Sequence, residues 1–68
     1  MINVNKADRM IETLEIIASD NYYPIEDDTN YQSLCEMVET AEFNGQDSIN
    51  KTDFLELYKK IKDSIENY

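Results

Sequence analysis

The segment INKTDFLELYKKIKDSI, residues 49–65, decides the fold class. Phe54, Leu57, Tyr58, Ile61 and Ile65 recur at i, i+3, i+4, i+7 and i+11, which draws one apolar stripe along a helix of 3.6 residues per turn. The start of that helix is marked as well. Asn50 has the short polar side chain of an N-cap, and Asp53 stands at N3, where a carboxylate opposes the positive end of the helix dipole. Ile49 and Phe54 occupy the N′ and N4 positions of a hydrophobic staple. Lys59, Lys60 and Lys62 fall late in the segment, where positive charge is favoured. A helix is expected over Lys51–Asn67, with Tyr68 extending its stripe.

Upstream, the same pattern appears twice. Tyr31, Leu34, Cys35, Val38 and Ala41 share a stripe, with Met37 at its edge. Thr29 and Gln32 have capping-box spacing, and Asn44-Gly45 supplies a left-handed stop, so a helix is expected over Asn30–Phe43. Ala7, Met10, Ile11, Leu14, Ile17 and Ala18 form the remaining stripe. There Asn5 is the expected N-cap, Asp8 stands at N3, and Asn21 and Pro24 end a helix over Lys6–Ser19. Asn5-Lys6-Ala7-Asp8 and Asn50-Lys51-Thr52-Asp53 are nearly identical, which repeated capping chemistry explains. Short connections near residues 20–28 and 44–49 suit antiparallel neighbours. The expectation is an all-α fold, a small three-helix bundle, as one helical domain over residues 1–68.

A chain of 68 residues has little core to stabilise it, and the usual aids at this size are missing. Cys35 is the single cysteine and there is no His, so neither an internal disulfide nor a zinc site of the Cys/His type is available. The net charge of −9 argues against direct nucleic-acid binding and against docking on an anionic membrane. No apolar run approaches the ~20 residues of a membrane span, and the first residues do not read as a signal peptide. One unpaired cysteine suits a reducing compartment, so a cytoplasmic location is expected.

Charge is distributed unevenly. Between Met10 and Asn50 there is no basic residue, while Glu12, Glu15, Asp20, Glu26, Asp27, Asp28, Glu36, Glu39, Glu42 and Asp47 contribute ten carboxylates. Self-repulsion of this kind opposes compaction, and the same field attracts a basic partner. Glu36, Glu39 and Glu42 step along one helix at i, i+3, i+6, and Glu12 and Glu15 do so on another. Such carboxylates stand about 5–6 Å apart, near the spacing of phosphates along a strand. The expected activity is therefore non-enzymatic binding of a basic protein, a nucleic-acid-binding enzyme or complex. Glu12, Glu15, Glu26, Asp27, Asp28, Glu36, Glu39 and Glu42 would supply charge, and Tyr22 and Tyr23 contact area. In size, acidity and lack of catalytic signatures the chain resembles small phage-encoded inhibitors, the anti-restriction and anti-CRISPR proteins. That resemblance implies a mechanism of nucleic-acid mimicry.

Four other readings are open. Tyr22-Tyr23-Pro24 followed by Glu26-Asp27-Asp28 resembles the motif of nuclease-colicin immunity proteins, which there leads into a final helix rather than two. Residues 42–53, flanked by amphipathic helices, resemble an EF-hand loop with Ile49 at position eight. They depart from it with Glu42 at position one, Asp47 at six and Asp53 at twelve. Gly45-Gln46-Asp47-Ser48-Ile49 resembles the carrier-protein signature, although few residues follow Ser48. Finally, Ile16 lies about 180° from Ala7 on a helical wheel and Leu55 about 100° from Phe54. These off-stripe residues are the candidate contacts of a homodimer, the mark of a self-associating structural module. No cofactor, metal or catalytic residue is expected; Cys35, on an apolar stripe without a His to activate it, reads as a small core residue.

Overall fold

The three amphipathic segments form three helices in the computed structural model, which describes residues 1–68. Helix α1 runs over Val4–Asp20, α2 over Thr29–Phe43 and α3 over Lys51–Glu66. All three stripes turn inward, and the fold is the all-α three-helix bundle that periodicity implies. Ala7, Ile11, Leu14 and Ala18 of α1 meet Leu34, Val38 and Ala41 of α2 and Phe54, Ile61 and Ile65 of α3 in one buried cluster. Met10, Ile17, Tyr31, Cys35, Met37, Leu57 and Tyr58 are half-buried around it. Ile49 and Phe54 are both in the cluster, where a staple would put them.

Two-residue strands complete the architecture. Strand β1, Ile2–Asn3, pairs antiparallel with β2, Ser48–Ile49, in the register Ile2 to Ile49 and Asn3 to Ser48. The Val4 amide extends the ribbon by donating to the Asp47 carbonyl at 2.9 Å. Ile2, Val4 and Ile49 thereby close the end of the core where α1 starts and α2 stops. At the other end a single 3-10 turn, Ile25–Asp27, drops Ile25 into the core between α1 and α2.

The ribbon moves the start of α1. Because the chain leaves β1 at residue 3, Asn3 is the N-cap and accepts from the Asn5 amide at 2.8 Å. Asn5, the expected cap, lies inside the first turn, and Asp8 falls two residues beyond N3. Helix α2 also starts one residue early. Its cap is Asp28, whose Oδ1 accepts from the Asn30 and Tyr31 amides at 2.8 and 3.2 Å. Gln32 makes no capping box with Thr29; its Nε2 donates to the Glu26 carbonyl at 2.9 Å. A carboxylate wins here because its second oxygen has a tertiary donor, the Tyr23 hydroxyl at 2.6 Å. Helix α3 begins as its sequence implies, Asn50 Oδ1 accepting from the Asp53 amide at 3.0 Å. It stops at Glu66, with Asn67 as C-cap. Tyr68 does not extend the stripe: it is 71% exposed, its ring edge-on to Tyr23 at 5.1 Å between centroids.

Helices α1 and α2 end in the same Schellman closure. After α2, the Gln46 amide donates to the Ala41 carbonyl at 2.8 Å and the Gly45 amide to the Glu42 carbonyl at 3.1 Å. After α1, the Tyr23 amide donates to Ala18 at 2.8 Å and the Tyr22 amide to Ser19 at 3.2 Å. Both motifs need a left-handed residue. Gly45 has φ 71°, and in the equivalent place stands Tyr22, with φ 56°. No helix is long and apolar enough to cross a membrane.

Candidate partner-binding surface

Helices α1 and α2 lie side by side, and the acidic window covers both and the turn between them. Asp8 and Ile11 of α1 line a shallow groove of about 150 Å³ with Cys35, Val38, Glu39 and Glu42 of α2. Further along the same seam the Tyr31 hydroxyl of α2 donates to the Glu15 carboxylate of α1. Three carboxylates therefore converge on one groove, and a fourth is tied across its continuation. Glu36 does not join them. It borders a different depression with Ser33, Met37 and Thr40. The reason is geometric: each i, i+3 step turns back about 60° around a helix, so an acidic row drifts from one face to the next.

Of the ten expected contact residues, Glu12, Glu15, Glu26, Asp27, Glu36, Glu39 and Glu42 are exposed, as is Tyr22 at 88%. The other two turn inward. Asp28 is only 9% exposed, committed to the α2 cap and to Tyr23, and it leaves the contact set. Tyr23 is half-buried between Asp28 and Tyr68. Two side chains outside these ten also bear on the surface. Asp8 belongs to the groove, and Phe43, off the α2 stripe, is 90% exposed.

The electrostatics of this face are uncompensated. The one ion pair in the structure is Lys60–Glu56 at 3.9 Å, a solvent-exposed i, i+4 contact within α3. None of the ten carboxylates between Met10 and Asn50 has a cationic partner. The one thiol in the groove is Cys35. Burial, with Glu15, Glu39 and Asp8 nearby, raises the Cys35 thiol pKa above its ordinary value and disfavours the thiolate. Burial first, and then the bond to Glu15, pushes the Tyr31 phenol upward in the same sense. Tyr23 is raised chiefly by its bond to Asp28, with burial second.

The segment read as EF-hand-like takes a different path. Glu42 lies in the last turn of α2, Gly45 closes that helix, and Ser48–Ile49 form β2. No three Cys, Asp or Glu side chains are grouped to hold a metal ion. Ser48, the residue of the carrier-like signature, is a half-buried ribbon residue rather than the start of a helix. Ile16 is 63% exposed and Leu55 37%, on α1 and α3 respectively.

No family model, curated protein or solved structure matches the chain.

Proposed function

We propose that this protein is a non-enzymatic binding module that occupies a basic, nucleic-acid-binding surface of a partner protein. The observation that carries the reading is the α1–α2 face, whose carboxylates have no internal cation to neutralise them. Repulsion among them costs folding stability in a domain with little to spare. A basic partner removes that cost. Competition is the mechanism: carboxylates fixed on two packed helices take the lysines and arginines that would otherwise hold phosphates. This is how the small phage inhibitors that the chain resembles in size and acidity would act. The unpaired Cys35 suits a reducing, cytoplasmic setting.

The test is a pull-down with the tagged chain from lysate of its source or host, at low and high salt, followed by charge reversal. Capture of a basic nucleic-acid-binding protein that weakens with salt is the expected result. Glu39→Lys combined with Glu42→Lys should then weaken association at least tenfold, mainly through a slower on-rate. Undiminished affinity in that double variant would falsify the electrostatic reading.

A second reading, self-association, has the exposure of Ile16 and Leu55 in its favour. It requires a dimer that dissociates on dilution and on Leu55→Glu, with little response to salt, which sedimentation equilibrium would detect.

A further inference from the structure

Each of the three helices ends on an asparagine. Asn21, Asn44 and Asn67 are the C-caps of α1, α2 and α3, all exposed, with ψ of 4°, 3° and 9°. Their backbones are thus alike, and their side chains are not. Asn21 Nδ2 donates to the Ile17 carbonyl and Asn67 Nδ2 to the Asp63 carbonyl, both at 2.8 Å. The Asn44 carboxamide has no such bond to the chain. The residue that follows also differs. Tyr22 and Tyr68 place bulk beside the first and third caps, whereas Gly45 follows Asn44, and a Cβ built there would meet nothing within 4 Å. Among the other asparagines, Asn3 and Asn50 are tied as N-caps, and Asn5 and Asn30 precede Lys6 and Tyr31 in the first turns of α1 and α2.

An asparagine carboxamide is open to attack by the backbone nitrogen of the next residue, a reaction that makes asparagine thermolabile. We propose that Asn44 is a site of self-modification, which converts by this route to aspartate and isoaspartate. The Gly45 nitrogen, its proton lost to solvent, bonds to Asn44 Cγ, and the Cγ–Nδ2 bond breaks with release of ammonia. Water then opens the cyclic imide. Addition at Cγ gives aspartate; addition at the backbone carbonyl carbon gives isoaspartate, whose chain runs through Cγ. The balance is amide plus water to acid plus ammonia, without oxidant or cofactor. At ψ 3° the Gly45 nitrogen nearly eclipses that of Asn44, so rotation about the Cα–C bond precedes attack. The Gly45 amide is held by the Glu42 carbonyl at 3.1 Å, at a helix end, and glycine has the conformational freedom to leave it. Conversion adds one charge to the window that already holds ten carboxylates, at the negative end of the α2 dipole. The isoaspartyl form also lengthens the backbone inside the α2 Schellman closure.

Folded protein kept in heavy-oxygen water at mildly alkaline pH, then fragmented for tandem mass spectrometry, reads the site directly. Asn44 should convert first of the seven asparagines and gain one heavy oxygen. Asn44→Gln should abolish the product, because the longer side chain closes its ring far less readily. Tyr22→Gly is the structural control: it gives Asn21 the same successor and leaves the carboxamide within reach of the Ile17 carbonyl. In that variant Asn21 should convert about two- to tenfold more slowly than Asn44, the worth of one hydrogen bond. Equal rates at the two positions, or conversion that begins at another asparagine, overturn the proposal. An Asn44 that stays intact in the folded protein overturns it as well, and the urea-unfolded chain, which should convert there, shows that the conditions sufficed.

Discussion

Helices α1 and α2 stop with the same pair of hydrogen bonds and a different residue at the left-handed position. At the end of α2 that residue is Gly45, and a Cβ built there would meet nothing within 4 Å. The constraint at Gly45 is thus purely conformational, and glycine meets it without strain. At the end of α1 it is Tyr22, which carries the Cβ penalty of about 1 kcal/mol. The two turns are also held differently. The α2–α3 connection is fastened by backbone through the β1–β2 ribbon, whereas the α1–α2 connection relies on side chains, Asp28 and Tyr23 above all. One end is built for stability, and the other retains a residue that stability alone would replace.

Removing the fastening of the α1–α2 turn should have the largest effect. Asp28→Ala loses an N-cap and leaves the Tyr23 hydroxyl without its acceptor, a cost of about 2–3 kcal/mol. Urea denaturation measures it, and a loss below about 0.5 kcal/mol would show that the turn does not depend on this carboxylate. The reciprocal exchange at the two left-handed positions sharpens the comparison. Gly45→Ala should destabilise by about 1 kcal/mol, while Tyr22→Gly should stabilise by about 0.5–1 kcal/mol once the added freedom of the unfolded chain is subtracted. Matching signs in the two unfolding curves would mean that the positions are not equivalent.

The smallest effect belongs to pH. Tyr23 and Tyr31 both have raised pKa values, so in the folded protein their neutral forms are favoured. The unfolded chain releases these protons first, near the ordinary phenol value of about 10. Their contribution is therefore complete below about pH 10 and is lost as pH rises from there through the folded-state values. An ultraviolet phenolate titration should show late-titrating tyrosines, and Tyr31→Phe should remove one of them. Ionisation of all five tyrosines in a single step at the ordinary phenol value would contradict the Glu15 and Asp28 contacts.

How much of this could be read from sequence depended on how local the cause was. The stripes and the α3 cap are set within a few residues, and both emerged from periodicity and cap chemistry alone. The choice of Asp28 over Thr29 was hidden, because two adjacent residues are both competent caps. The donor that favours Asp28, the Tyr23 hydroxyl, arrives only when the turn is formed. The ribbon was hidden for a related reason. Two residues are too few for alternation to show, and their partners lie beyond two helices. On the surface, exposure of the glutamates followed from their charge, since unpaired carboxylates stay in water. Their grouping did not follow, because the drift of an i, i+3 row spreads the acids around α2, and the placement of α1 decides that Glu39 and Glu42, not Glu36, border the groove.

The ribbon also sets an order in time. Helices α1 and α2 are neighbours in sequence and can meet across a short turn, as can α2 and α3. Ile2 reaches Ile49 only by closing a loop that contains α1 and α2 entire, which makes it the slowest kind of contact to find. The opening residues are therefore expected to act as a latch, falling shut on a bundle that has already assembled.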